Sequence, residues 1–225
     1  MLRKVSDWLV PNLCICCQNS VFKSQAICQY CFEELSLFDP SQGNLLLQPD
    51  ICRDFKLDNI TSLIACGWYE GQLKQWLSGY KFHHQTRFQA ALEQIIYHQW
   101  TRYQLNKDNM PDIAVIMPLH TTRLVNRGFN QVNQTWQNCI APYLTPKIKL
   151  HRSFNTRPQS GLLFMQRKKN LRNAFEVTGS MTGVKVAIVD DVITTGATMN
   201  AAAQACLDAG ALQVSAIATA LTPLH

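Results

Sequence analysis

Short apolar runs alternate with amphipathic segments through the second half of the chain, and this alternation restricts the fold more than any other feature. Ile113 to Met117 is an apolar run that stops at Pro118, and Val184 to Val189 and Leu212 to Thr219 are two more. Between them, Gln131 to Ile140 places Val132, Trp136, Cys139 and Ile140 on one helical face, with Pro142 just past its end. Met199 to Leu207 repeats the stripe with Met199, Ala202, Ala203, Cys206 and Leu207, and Gly210 supplies the stop. Strand, helix, strand, helix, strand, with the strands apolar throughout, predicts a parallel sheet covered by helices. Upstream, Ile60 to Trp68 is β-prone and reads as a further strand, and Gln85 to Tyr103 carries Leu92, Ile95, Ile96, Trp100 and Tyr103 at helical spacing. Those aromatics are expected in the core. In parallel α/β folds ligands sit at the carboxyl ends of the strands, so the residues after each strand are the candidates for chemistry.

The strand expected at 184–189 is followed by Asp190-Asp191-Val192-Ile193-Thr194-Thr195-Gly196-Ala197-Thr198 and then a helix. Two adjacent carboxylates repel one another unless something binds them. The hydroxyl-rich turn beyond, opening a helix, offers backbone N–H groups that suit one phosphate group. Acids for sugar hydroxyls beside a cradle for a 5′-phosphate describe a ribose 5-phosphate site. A capped helix flanked by a surface acidic pair is the plainer alternative.

Nine cysteines are present, and five fall at the front: Cys14, Cys16, Cys17, Cys28 and Cys31. Cys14-x-x-Cys17 and Cys28-x-x-Cys31 are two thiolate knuckles, and a pair of such turns supplies the four soft ligands of a closed, tetrahedral structural zinc site. Cys16 competes with Cys17 as a ligand at tighter spacing. A chain of 225 residues, 47% hydrophobic and 16% charged, buries a core without disulfides. No apolar run approaches the roughly 20 residues that span a bilayer, and Ser6, Asp7 and Pro11 interrupt any signal core. The expectation is a cytoplasmic protein with reduced thiols. Its organisation reads as a zinc-binding module over 1–40, a linker over 41–59 holding one helical turn, and the α/β domain over 60–225.

The net charge of +6 is unevenly placed. From Ile113 to Phe175 there is no Asp or Glu, while Arg123, Arg127, Lys147, Lys149, Arg152, Arg157, Arg167, Lys168, Lys169 and Arg172 all lie there. Such a segment is expected to meet a polyanion, with a solvated basic face as the alternative.

VAIVDDVITTGAT at 186–198 resembles the phosphoribosyl-pyrophosphate (PRPP) motif of type I phosphoribosyltransferases. Together with the cysteine knuckles at 14–31, PLHTTRLVNRGFNQ at 118–131, TRPQSGL at 156–162 and NLRNAF at 170–175, it is similar to the ComF family of competence-associated, phosphoribosyltransferase-like proteins, which includes GntX-type members. The resemblance implies a type I phosphoribosyltransferase-like fold with an N-terminal zinc module on Cys14, Cys17, Cys28 and Cys31. It implies that Asp190 and Asp191 hold the ribose hydroxyls, directly or through Mg²⁺, and that Thr194, Thr195, Gly196, Ala197 and Thr198 wrap the 5′-phosphate. Leu119, His120, Thr121, Thr122 and Arg123 take the pyrophosphate turn, and Arg123 and Arg127 pair with that charge. Arg157, Gln159 and Gly161 fall in a loop that closes over the sugar. The activity implied is displacement of pyrophosphate from ribose C1, with Asp190, Asp191, Arg123 and Arg127 as the catalytic set and an acceptor that no segment names. The family also implies handling of single-stranded DNA in natural transformation, beside other competence proteins. A single strand would use the surplus of basic residues, with Phe154 or Phe164 as stacking surfaces. A PRPP sensor without turnover is the third reading.

Overall fold

The computed structural model describes residues 12–82, 85–104, 110–119, 124–125, 128–152 and 174–223. The N-terminal module is a two-strand ribbon, β1 (Asn12–Leu13) against β2 (Ser20–Val21), followed by the short helix α1 (Gln29–Glu33). Cys28 caps α1, its sulfur accepting the Cys31 N–H at 3.5 Å. The module is seated on the main body. Gln94 Oε1 accepts the N–H groups of Ala26 and Ile27 at 2.8 and 2.9 Å, and Gln94 Nε2 donates to the Ile27 carbonyl at 2.9 Å.

The stretch expected to be a linker does more than connect. It carries two 3₁₀ turns, Pro40–Gln42 and Leu45–Leu47, and the helix α2 (Pro49–Asp54), and it buries Leu45, Ile51, Phe55 and Leu57 in the main core. Asn44 stitches it down: its side chain accepts from Leu46 N and Leu63 N at 3.0 and 2.9 Å and donates to the Thr61 carbonyl at 3.0 Å. Four apolar side chains in the core make this segment part of the α/β body.

The chain continues through β3 (Ser62–Trp68), α3 (Gly71–Phe82), α4 (Arg87–Tyr103), β4 (Ile113–Ile116) and α5 (Gln131–Ile140). A hairpin follows, β5 (Lys149–Arg152) against β6 (Phe175–Thr178), and then β7 (Lys185–Ile193), α6 (Ala197–Asp208) and β8 (Gln213–Leu221). The main sheet has the order β3-β8-β7-β4, with every pairing parallel. Of the helices described, α1 and α3 are the two that the sequence reading left unassigned.

Alternate residues of each strand feed separate cores, as the two-residue period of a strand requires. Val186 and Ile188 of β7 pack with Met199, Ala202 and Cys206 of α6 and with the 45–57 segment. Ala187 and Val189 pack with the apolar faces of α3, α4 and α5, where Leu92, Ile95, Ile96, Trp100 and Trp136 lie, as their spacing predicted. Central β8 carries Ala216, Ala218 and Ala220, whose small side chains let helices approach both faces. Thr219, a buried polar residue in this strand, accepts from Trp136 Nε1 at 2.9 Å.

The apolar run of 184–189 underestimates β7. The strand continues to Ile193, since Asp190, Val192 and Ile193 keep their register with Ala218, Ala220 and Leu221 of β8. The acid pair therefore lies within the strand, not after it. Asp191 meets Lys81 of α3 and Gln131 of α5. Among the described residues no helix is long and apolar enough to cross a membrane.

Candidate functional site

The helix after β4 lies on one face of the sheet and the helix after β7 on the other, so the chain parts between the carboxyl ends of these neighbouring strands. Parallel α/β folds open a crevice at such a point. A cavity of about 640 Å³ is found there, lined by Met117, Pro118 and Leu119 after β4, by Asp190 to Thr194 of β7 and its exit, and by Gly196, Thr198 and Met199. Tyr69 beyond β3, Lys81 of α3, Gln131 of α5 and Arg152 of β5 complete the wall.

Gly196 forms the hinge of the turn. Its φ of 80° is left-handed, and a Cβ built on it would stand 2.6 Å from Leu57 Cδ2. Only glycine meets both demands without strain. Thr194, Thr195, Ala197 and Thr198 are exposed around this buried glycine, and Thr194 and Thr198 line the cavity. Behind the turn, Asn200 Oδ1 accepts Asn59 N–H at 3.2 Å, Asn59 Nδ2 donates to the Asn200 carbonyl at 3.2 Å, and Asn200 Nδ2 donates to the Lys56 carbonyl.

The two acids have different surroundings. Lys81 Nζ is 2.9 Å from Asp191 Oδ1, with the two side chains 10% and 12% exposed, and Gln131 Nε2 donates to Asp191 Oδ2. Among the described residues Asp190 makes no ion pair within 4 Å, though the Lys81 charge also favours its ionised form, and its Oδ1 accepts the Asp191 N–H at 2.7 Å. Burial, with the Asp191 charge next in size, pushes the Asp190 carboxyl up to about 8. Each Asp191 oxygen holds one partner, an ammonium or an amide, and keeps a second lone pair. A magnesium brought by a ligand would meet the oxygens of Asp190 and Asp191.

The four thiols of Cys14, Cys17, Cys28 and Cys31 converge, with their sulfurs all within 4.8 Å of one another. The Cys17 and Cys28 sulfurs are 3.7 Å apart, and a tetrahedron with zinc–sulfur bonds of about 2.3 Å sets sulfurs about 3.8 Å apart. Burial raises the Cys14 thiol, but N–H groups of Cys28, Cys17 and Cys16 outweigh it and bring the group down to about 6. The Cys28 N–H lies 3.3 Å from that sulfur. Cys16 falls outside the cluster: its sulfur is 4.0 Å from Gln72 Oε1, and burial pushes its thiol up to about 11. The choice between Cys16 and Cys17 resolves in favour of Cys17.

The structure thus brings together Asp190, Asp191, Thr194, Gly196, Thr198 and Leu119 around one cavity, and Cys14, Cys17, Cys28 and Cys31 around another centre. His120, Thr121, Thr122, Arg123, Arg127, Arg157, Gln159 and Gly161 lie outside the described residues, as do Phe154, Phe164, Arg167, Lys168, Lys169 and Arg172. Sequence reasoning missed Lys81, Gln131, Tyr69 and Arg152 as parts of the cavity. Gln131 closes the 118–131 motif, and Lys81 follows Leu73, Trp76, Leu77 and Tyr80, an i, i+3, i+4, i+7 stripe that marks a helix.

Fold and site together define a parallel α/β protein with a ligand cleft at the strand ends and an N-terminal four-cysteine module able to hold a metal such as zinc. The chain is 29% identical over 198 residues to competence protein F of Haemophilus influenzae, covering 84% of this chain and 81% of that protein. It is 28% identical over 219 residues to DNA utilization protein YhgH of Salmonella typhimurium, with 93% and 89% covered, and 30% identical over 159 residues to YhgH of Escherichia coli K12, with 68% of each covered. The chain belongs to the ComF family, that of competence protein F and the YhgH proteins. No protein-family model matches it. Among solved structures, a purine phosphoribosyltransferase from Pyrococcus horikoshii Ot3 aligns over 60% of this chain and 83% of its own at 13% identity and a TM-score of 0.35. The fold assignment rests on the strand order above.

Proposed function

We propose that this protein is a phosphoribosyltransferase-like member of its family that binds PRPP or ribose 5-phosphate in the cleft at the end of β7 and acts in the use of single-stranded DNA. The observation that carries the reading is the sequence of groups around one cavity: an acid pair, then a positive-φ glycine flanked by exposed threonines at the start of α6. A sugar phosphate offers hydroxyls to acids and a phosphate to such a turn. Its 5′-phosphate would lie on the turn of Thr194 to Thr198, where N–H groups and the helix N-terminus favour an anion. The ribose hydroxyls would meet the acid pair, and the pyrophosphate would lie toward Leu119 and the turn after it, with Arg123 and Arg127 as partners. Magnesium would arrive on the diphosphate oxygens of PRPP. If pyrophosphate leaves, positive charge develops at ribose C1, so carboxylates below the ring and cations at the leaving group stabilise the same transition state. The DNA role is supported by the names of the relatives, competence protein F and DNA utilization protein, and by the acid-free basic stretch from Ile113 to Phe175.

Labelled PRPP offered to the purified protein, with and without single-stranded DNA, tests the reading when binding and pyrophosphate release are scored separately. Binding with release identifies an active transferase of nucleotide or nucleoside metabolism. Binding without release, when nucleobase acceptors are offered as well, identifies a sensor. No binding in either condition removes the proposal. In the same reading zinc occupies the four-thiolate centre as a structural ion and turns over nothing.

A further inference from the structure

Among the described residues, the cations that line the cleft are Lys81 and Arg152, and Lys81 comes from a helix outside every motif of the site. Its ammonium reaches Asp191 from the end of α3, and Gln131 donates to the same carboxylate from the start of α5. The ends of two helices therefore meet on one acid. Both helices belong to the core on one face of the sheet, whereas α6, which opens at the Thr194–Thr198 turn, packs into the core on the other. Lys81 thus borders the cleft away from the phosphate turn, on the side of the 118–131 segment that Gln131 closes. The ion pair uses one of the three N–H donors of the ammonium, and the Tyr69 ring centroid lies 6.0 Å from the charge. A four-carbon stem lets the ammonium turn without moving α3. With its side chain 10% exposed, the charge is largely out of water, where it attracts an anion more strongly than at the surface.

Resting on the reading of the cleft as a ribose 5-phosphate site, we infer that Lys81 is a ligand-binding residue that selects a diphosphate at ribose C1 and so sets PRPP apart from ribose 5-phosphate. Without ligand, the ammonium compensates the acid pair. When a ribose carrying a C1 diphosphate enters, the two acids take the ribose hydroxyls and the Thr194–Thr198 turn takes the 5′-phosphate. The diphosphate is then directed to the opposite end of the cleft, beside Leu119 and the end of α3. There Lys81 gives its remaining N–H donors to diphosphate oxygens, in hydrogen bonds charged on both sides. A ribose that lacks the diphosphate leaves those donors to water. The side chain therefore has two effects: compensating Asp191 acts on every ribose ligand, and pairing with the diphosphate acts on PRPP alone.

Calorimetry with PRPP and with ribose 5-phosphate, magnesium present throughout, separates the two effects. Wild-type protein is expected to bind PRPP the more tightly, and Lys81→Met to lower the ratio of the two affinities about tenfold or more. Because the uncompensated Asp191 carboxylate weakens both ligands in that variant, the ratio is the quantity to read. Equal losses for both ligands leave Lys81 as a partner of Asp191 and overturn the assignment. Lys74→Met removes the same charge from the same helix outside the cavity, and should keep the ratio within about threefold of wild type. A fall there equal to that of Lys81→Met reduces the effect to general attraction and overturns the assignment too. If Lys81→Met does not fold, Asp191→Asn is compared with Lys81→Met plus Asp191→Asn, where no carboxylate at 191 needs compensation. The ratio should then fall only with Lys81 gone, and an unchanged ratio contradicts the role. Wild-type protein that binds neither ligand removes the reading of the cleft and this inference with it, whereas binding of both without preference removes this inference alone.

Discussion

Leu57 occupies the space beside Gly196 that any larger residue would need: a Cβ at 196 would lie 2.6 Å from Leu57 Cδ2. The contact couples the segment before β3 to the turn that opens α6, and Asn59 and Asn200 reinforce it. A left-handed φ at 196 and a close neighbour together leave no room for a side chain.

Gly196→Ala is therefore expected to destabilise the protein by about 1–3 kcal/mol. At roughly 2–4 °C per kcal/mol for a chain of this size, thermal unfolding reads this as a drop of several degrees. Leu57→Ala empties a core site and costs stability itself, but it relieves the clash, so the double variant should lose less than the sum of the two single variants, while the φ penalty stays.

Metal analysis should find one zinc per chain, held by Cys14, Cys17, Cys28 and Cys31. Chelation or Cys28→Ser removes a ligand set that supplies local folding energy. Because Cys14, Ile27 and Cys31 are buried against α3 and α4, the loss should also loosen the Gln94 contacts and lower the unfolding temperature of the α/β body. Cys16→Ser should keep the zinc, since its sulfur lies toward Gln72.

Asp190 gives the pH dependence. Its carboxyl is raised above the ordinary carboxylate range by burial and then by the Asp191 charge, so the folded state holds the proton more tightly than the unfolded chain. That contribution is fully present below the unfolded value near 4 and is lost as pH rises through about 8. Asp190→Asn deletes the titration. Thermal unfolding should show variant and wild type alike near pH 4 and the variant the more stable of the two above pH 8, and parallel curves would refute the assignment.

Single-stranded DNA should bind with an affinity that falls by roughly 0.7 log units per neutralised phosphate for each tenfold rise in salt. Arg167, Lys168 and Lys169 changed together to Ala should flatten that slope if they touch the strand. Equal affinity for heparin, duplex and single strand would reduce the effect to general polyanion attraction.

Much of this architecture can be read from periodicity. Val132, Trp136, Cys139 and Ile140 are buried on α5 as their spacing indicates, and three apolar runs became β4, β7 and β8. The 41–59 segment resisted because Leu45, Ile51, Phe55 and Leu57 enter the core from 3₁₀ turns, a short helix and a bend, which share no single period. Asp190, Asp191 and the Thr194–Thr198 turn are local in sequence and so were legible. Lys81 was not, because its role comes from an ion pair made across the fold to Asp191, and a lysine near the end of a helix ordinarily marks a solvated face. The difference between the two acids escaped for a similar reason. It appears only when Lys81 and Gln131 are seen against Asp191.

The central claim is that a sugar phosphate lies on the turn between Asp190 and Thr198, and hydrogen exchange read by mass spectrometry tests it directly. Saturating ribose 5-phosphate should slow exchange in peptides covering 190–199, whose N–H groups would hold the phosphate, and leave peptides covering 12–34 unchanged. Exchange across 190–199 that is indifferent to the ligand, at concentrations where calorimetry detects binding, would contradict the account.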